Sequence, residues 1–392
     1  MFEYRLVEDP TEAISVASAA FALRSVERET LEPWLRQALG RGCKLFGVYE
    51  GSRLQAVYLL HDYRMRLRES VIPMAGIGFV CSRLDARGKG AVRQLLAHSI
   101  ETAKEQGHVV SVLDPFDQSF YRKYGWELFT RQQRLDISPA SIAELPRSGD
   151  LEVEELPVPD QASQDFYNRY ASTHYTLAQR SADHWEEHTR LLPWHVDHAA
   201  QGVVRVSRGG RVVGLIGYAV THKPDQEATF IVDPFLYEGE DVKRELLGFL
   251  RRLSHQIGKI RLHLPVDEDL WPYLNVRPRK RDHRDTFMIR IVSVAALNGL
   301  RLAAPDGALA VDVTDPQASW NNGIWNLKID RGTLHVSPGR SADLRCGIGV
   351  LSSVVSGFTS FARMIDAGKV EALPGYDGQD LPTTVTALAD YF

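Results

Sequence analysis

Along the first 140 or so residues the hydrophobic pattern switches between two periods. Lys44–Tyr49 and Leu54–His61 are apolar-rich runs on either side of the polar turn Glu50-Gly51-Ser52-Arg53, which predicts a β-hairpin. Gly76–Ser82 is a third apolar run. From Ala91 to Gln106 the period lengthens: Val92, Leu95, Leu96, Ser99/Ile100 and Ala103 recur at helical spacing, and Gly107 closes the helix. Val109–Leu113 then returns as a strand. A strand, a glycine-rich turn, a helix and a second strand make a βαβ unit with parallel strands.

The same pattern comes round again. Val80–Leu113 slid forward by 151 residues lands on Ile231–Leu264 without a gap. Arg93, Leu95, Leu96 and Gly107 then meet Arg244, Leu246, Leu247 and Gly258. The hairpin has a counterpart in Val203–Ser207, the turn Arg208-Gly209-Gly210-Arg211, and Val212–Val220. The middle of the chain therefore reads as a second copy of the first domain. The last hundred residues change character. Ala310–Val313, Gly323–Ile329 and Gly332–Ser337 predict short strands, and Ile348–Ser356 and Phe358–Ala367 predict helices. Ile137–Asp160, with its prolines and interspersed acids, reads as a linker, and a weaker break falls near Val292–Leu300. These shifts predict three domains, at 1–145, 146–291 and 292–392, two of α/β class and the last α+β.

Composition narrows the function classes. The 392 residues are 44% hydrophobic and 24% charged, as a folded chain requires, and the net charge of −4 offers no basic field for nucleic acid or an anionic membrane. The mixed-charge start Met1–Arg5 predicts no secretory leader, no apolar run suits a membrane span, and a cytoplasmic protein is expected. Cys43, Cys81 and Cys346 are too few and too scattered for a disulfide framework or a zinc site, so no metal is expected.

Two motifs carry chemistry. Arg87-Gly88-Lys89-Gly90-Ala91-Val92 lies between a strand and a helix, where helix-terminal N–H groups and the helix dipole favour an anion, and Arg87 and Lys89 add positive charge. That suits a pyrophosphate. Just past the strand Val109–Leu113 comes Asp114-Pro115-Phe116-Asp117-Gln118-Ser119-Phe120-Tyr121-Arg122-Lys123-Tyr124-Gly125-Trp126. The R-x-x-G turn followed by F-Y-x-x-x-G-[FW] resembles the GNAT acetyltransferases, although Val92 departs from the small residue that ends the turn motif. The resemblance implies that the turn binds the CoA pyrophosphate and that Tyr121 is the general acid for the departing thiolate. A phenol, with a pKa near ~10, is chemically suited to that donation. The strand backbone at Val80, Cys81 and Ser82 is the candidate donor to the thioester carbonyl.

In the second copy Arg87, Lys89 and Gly90 become Glu238, Glu240 and Asp241, and Tyr121 falls on Pro272. One active site is therefore expected. Two GNAT-like halves followed by an α+β domain, with Ser337–Leu344 and Gly347–Phe361 similar to a sterol-carrier fold, resemble the enhanced-intracellular-survival (Eis) type. That resemblance implies a homo-oligomer, a hexamer, in which the chain's terminal carboxylate, here that of Phe392, acts as the base. It also implies acetyl-CoA as co-substrate and a small-molecule or lysine amine as acceptor.

Substrate contacts are less legible. Glu27 and Trp34 are candidates for the acceptor pocket. The acid that family members carry two residues past a Phe comparable to Phe21 is Leu23 here. Polyamine, lysine-like and aminoglycoside-like amines all stay open. His184, His188, His195 and His198 lack the HExxH order and read as surface histidines, and Arg277–Arg284 as a solvated loop or ion-paired interface. The reading is an acetyl-CoA-dependent N-acetyltransferase acting by direct transfer. The alternative is a lipid-binding or scaffolding protein working through its sterol-carrier-like domain, which needs an apolar tunnel free of the chain's own tail.

Overall fold

The helix predicted after the glycine-rich turn forms at Ala91–Glu105 because Leu95, Leu96, Ser99, Ile100 and Ala103 fall on one face, and that face is fully buried. In this computed structural model residues 2–23, 25–188, 198–221 and 227–390 are described, with the side chains of 25–27, 186–188, 198 and 199 outside that description. The chain gathers into two compact units. One holds the residues up to Thr130, Tyr175–Ala178 and those from Thr286 on; the other holds Arg131–His174 and Gln179–Asp285.

In the first unit the strands β1 (Phe2–Leu6), β2 (Lys44–Glu50), β3 (Arg53–Leu67), β4 (Ser70–Ser82), β5 (Val110–Leu113) and β6 (Glu127–Leu128) lie in one sheet. The helices that accompany them are α1 (Thr11–Ala20), α2 (Ser25–Gly40), α3 (Ala91–Glu105) and the short α4 (Gln118–Arg122). β3 and β4 are longer than the apolar runs suggested. They form a hairpin paired from Ala56↔Ser82 out to Leu67↔Ser70, with polar residues at its solvent side. β4 and β5 are parallel, as a βαβ unit demands, from Met74↔Val110 to Ile77↔Leu113.

Between β5 and β6 lies a strand the sequence did not assign there. Met288–Ile291 pairs antiparallel with both. The converse holds in the second unit, where Arg131–Ile137, which follows the first repeat in the chain, pairs with Lys259–Pro265. Each repeat thus completes its sheet with a strand that follows the other repeat.

The second unit repeats the plan. Thr229–Tyr237 and Lys259–Pro265 are parallel strands joined through the helix Glu240–Arg252, beside the hairpin His198–Arg208/Arg211–Thr221. The predicted linker is corrected here. Leu151–Leu156 is an edge strand paired with His198–Arg208, its half-buried Leu151 and Val153 alternating with exposed acids. The basic run is likewise a strand, Lys280–Asp285, at the opposite edge. Its two acids pair with the neighbouring strand, Asp282 with Arg134 and Asp285 with Arg131, while Lys280, Arg281 and Arg284 are exposed.

The C-terminal segment forms a five-stranded sheet with the helices Ile348–Ser356 and Phe361–Asp366. Its Leu309, Val311, Leu351 and Phe361 share one hydrophobic cluster with Met65, Met74 and Val112 of the first sheet and Phe129 just past it. The segment near Val292–Leu300, where the sequence suggests a break, is buried, with Val292, Val294 and Leu297 at 0% exposure. Beyond Ala372 the tail has no regular secondary structure among its described residues, yet Leu381 and Leu388 enter the same cluster.

Candidate active site

β4 is irregular where chemistry was expected. Its register against β3 runs Val57↔Cys81 and then Leu59↔Gly78, so β4 carries one extra residue. Phe79, in that bulge, has a φ of 56°, a left-handed conformation that costs an ordinary residue about 1–2 kcal/mol. Phe21 and Trp34 hold its ring, with centroids 5.8 and 6.1 Å away. Pairing with β5 stops at Ile77↔Leu113, so beyond it Val80, Cys81 and Ser82 have no ladder to β5. A bulge that turns strand backbone out of its ladder can direct N–H groups at a ligand.

The glycine-rich turn follows. Gly88 and Gly90 have φ of 79° and 87°, and a Cβ at either would meet nothing within 4 Å. These glycines answer a backbone need, not a lack of room. Gly90 precedes α3 with no side-chain cap. The first N–H groups of α3, at Ala91, Val92 and Arg93, have no carbonyl four residues back to bind. Arg87, Lys89 and both glycines are exposed. The nearby Asp85 is taken up by Arg53 at 2.9 Å and Arg83 at 3.2 Å, so it does not oppose an anion. In the second unit the matching helix start carries Glu238, Glu240 and Asp241; Asp241 pairs with Arg208, and Glu238 with Arg211 at 2.9 Å. That terminus carries arginine-paired acids where the first unit carries Arg87 and Lys89.

Tyr121 sits on α4. Asp117 starts this helix by accepting from Ser119 N at 2.8 Å and Phe120 N at 3.3 Å. Tyr121 is 2% exposed, its ring in edge contact with Phe116, Phe120 and Trp126. Burial, then the charge of Asp114, then Cys81, push the phenol well above its ordinary value, so it holds its proton throughout the physiological range. Cys81 is buried too, and its thiol is pushed up by burial; Cys346 is pushed up to about 12 by the same cause. Neutral, buried thiols are poor nucleophiles.

Asp114 was quoted within the motif but not singled out. It is the first residue past β5 and is exposed to solvent, yet burial of its carboxyl by the surrounding protein pushes it up to about 6. No regular feature of the sequence marks such a group, because burial of a carboxyl exists only once the chain has folded. Arg68 was also missed. It is buried at the β3–β4 turn and donates to the Val355, Val354 and Pro382 carbonyls at 2.7, 2.8 and 2.5 Å, tying the tail to the end of the helix Ile348–Ser356.

Of the other candidates, Trp34 is buried on α2, and the side chain of Glu27 lies outside the described residues. So does Phe392. The described tail ends at Asp390, which is fully buried, and Thr176 holds the Ala387 carbonyl at 2.9 Å. Among the histidines, His184 is corrected: it is buried with Trp185, and its Nδ1 lies 3.2 Å from Ser181 N. His195 and the side chains of His188 and His198 are outside the described residues. Among the described residues no cluster of three metal-ligating side chains occurs.

Comparison with known proteins agrees with this architecture. Residues 6–129 and 176–291 each match an acetyltransferase (GNAT) domain, and 294–392 match a sterol carrier protein domain. Two uncharacterized N-acetyltransferases of Streptomyces avermitilis are similar over nearly the whole length. One is 24% identical over 89% of this chain and 87% of its own; the other is 24% identical over 92% and 90%. Among solved structures, the GCN5-related N-acetyltransferase of Anabaena variabilis superposes with a TM-score of 0.87 at 19% identity, covering 100% of both chains. Eis1 of Mycobacterium abscessus does so with a TM-score of 0.78 at 20% identity, again covering 100% of both. The chain carries two GNAT acetyltransferase domains and a sterol carrier protein domain, which makes it an acyltransferase, and it shares its fold with Eis1.

Proposed function

We propose that the protein transfers an acetyl group from acetyl-CoA to a primary amine in one direct step. The observation that carries this reading is the open, cationic start of α3 in the same domain as a buried, protonated phenol. The CoA pyrophosphate would lie on the turn Arg87–Val92, held by the α3 N–H groups, Arg87 and Lys89. The thioester carbonyl would take hydrogen bonds from the backbone at Val80–Ser82. The amine forms the new C–N bond as the C–S bond breaks. Tyr121 gives its proton to the departing thiolate, and the α-carboxylate of Phe392 takes one from the nitrogen. Cys81 stays a thiol, which favours direct transfer over an acyl-enzyme. We further infer three domains at 1–145, 146–291 and 292–392, a cytoplasmic homohexamer, and an acceptor drawn from polyamine, lysine-like or aminoglycoside-like amines.

Calorimetry with acetyl-CoA, followed by thiol release over a panel of such amines, tests the reading. Tyr121→Phe keeps the packed ring and removes the hydroxyl. Its kcat should fall roughly 10²-fold with KM little altered. Full turnover in that variant removes Tyr121 as the acid, and absence of acetyl-CoA binding removes the function itself. The rival lipid-binding reading is weakened by the tail, whose Leu381 and Leu388 occupy the C-terminal domain's apolar cluster.

A further inference from the structure

The turn that ends α4 is held from outside its own sequence. Arg290, on the strand Met288–Ile291, lies opposite Ser111 of β5. One of its terminal nitrogens donates to the Tyr124 carbonyl at 2.7 Å, and the other donates to both oxygens of Asp315 at 2.8 Å. Neither side chain has any exposed surface. The Tyr121 carbonyl in turn accepts from Tyr124 N at 2.9 Å and Trp126 N at 3.3 Å. Arg290 also stands over the Trp126 ring at 5.5 Å, and that ring meets the Tyr121 ring at 6.4 Å.

Gly125 records the same contact. Its φ is +88°, and a Cβ there would fall 1.8 Å from the Arg290 guanidinium. The glycine of the F-Y-x-x-x-G motif is thus the place where Arg290 passes. Asp315 is itself fixed: it accepts from Asn321 at 2.9 Å and from the N–H groups of Gln317 and Ala318 at 3.0 and 3.2 Å.

We propose that Arg290, braced by Asp315 of the sterol carrier protein domain, is a positioning residue for Tyr121, so that the third domain fixes where the acid stands. A fully buried ion pair adds little net stability over well-packed apolar side chains. What it supplies is direction. The guanidinium is planar, and with one terminal nitrogen on both Asp315 oxygens and the other on the Tyr124 carbonyl its orientation is fixed at two points, which fixes the Tyr124 peptide. A sterol carrier protein domain whose apolar cluster takes in its own tail thereby contributes to acyl transfer through the placement of Tyr121, separately from its terminal carboxylate.

The inference rests on Tyr121 being the acid, and a double-mutant cycle separates the two ideas. Wild type, Arg290→Lys, Tyr121→Phe and the double variant are assayed with acetyl-CoA and the panel amine of highest turnover, each checked for folding by thermal melting. Lysine keeps the charge but has one nitrogen where Arg290 uses two, so it cannot hold Asp315 and the Tyr124 carbonyl in the same geometry. Arg290→Lys should lower kcat by about tenfold or more with the acetyl-CoA Kd unchanged, because a small misplacement of a reacting group costs rate. In the Tyr121→Phe background the same change should alter kcat by less than about twofold. Losses that multiply in the double variant overturn the inference. If Tyr121→Phe alone keeps full kcat, the acid assignment has failed instead, and the first two variants show which. Should Arg290→Lys not fold, Asp315→Asn, which keeps the shape and removes the brace's charge, runs the same cycle with the same criterion.

Discussion

Arg68→Met removes the clamp on the tail while keeping a side chain of similar length. Three carbonyls lose a cationic donor. That of Val354 keeps the Gly357 N–H at 3.0 Å, whereas Val355 and Pro382 lose the partner that Arg68 supplies. A buried carbonyl left unsatisfied costs about 1–3 kcal/mol. Val354 and Val355 lie in the last turn of the helix Ile348–Ser356, where loss of a cation costs about 0.3–1 kcal/mol more. Against this, the variant no longer buries a guanidinium, whose desolvation draws Arg68 down to about 10. The net expectation is a loss of ~2–4 kcal/mol. In a unit of this size each kcal/mol moves Tm by ~2–4 °C, so calorimetric melting should show a fall of roughly 4–16 °C. Acetyl transfer should fall further than acetyl-CoA binding, because Pro382 belongs to the tail that leads to Phe392 and the pyrophosphate turn is untouched. A Tm unchanged within experimental scatter would falsify the clamp. So would a variant whose acetyl-CoA binding falls as far as its turnover.

Other outcomes follow from the same geometry. Arg87→Glu copies the charge at Glu238 and should weaken acetyl-CoA binding at least tenfold with Tm preserved, read by titration; unchanged affinity removes the turn as the anion site. Extension beyond Phe392, or its deletion, should abolish transfer while acetyl-CoA still binds, because an extended chain offers a neutral amide and a shortened one falls up to ~3.5 Å short. An extended chain with native turnover places the base elsewhere. Asp114, pushed up from 3.8 to about 6, is protonated at a higher pH when folded than when unfolded. The native state then binds more protons between pH ~4 and ~6, so the Asp114 contribution falls as pH rises through that window. Melts of Asp114→Asn across it should lack that component, and parallel curves for the two proteins would refute the shift.

Local pattern determined a good deal of this protein. The helix Ala91–Glu105, its flanking parallel strands and the repeat in the second unit were all written in apolar spacing, because each buries one face of a regular element. The turn at Gly88 and Gly90 was legible because a positive φ demands a particular residue type at a fixed place in the chain. What only the tertiary structure decided is long-range. Met288–Ile291 and Leu151–Leu156 are short strands whose partners are fixed by which sheet edge is open, and no residue type encodes that. Arg68, Asp114 and Arg290 look like ordinary charges in the sequence. Their roles come from burial and from partners as many as 314 residues away, in the case of Arg68 and Pro382, and such desolvation exists only once the chain has closed around them.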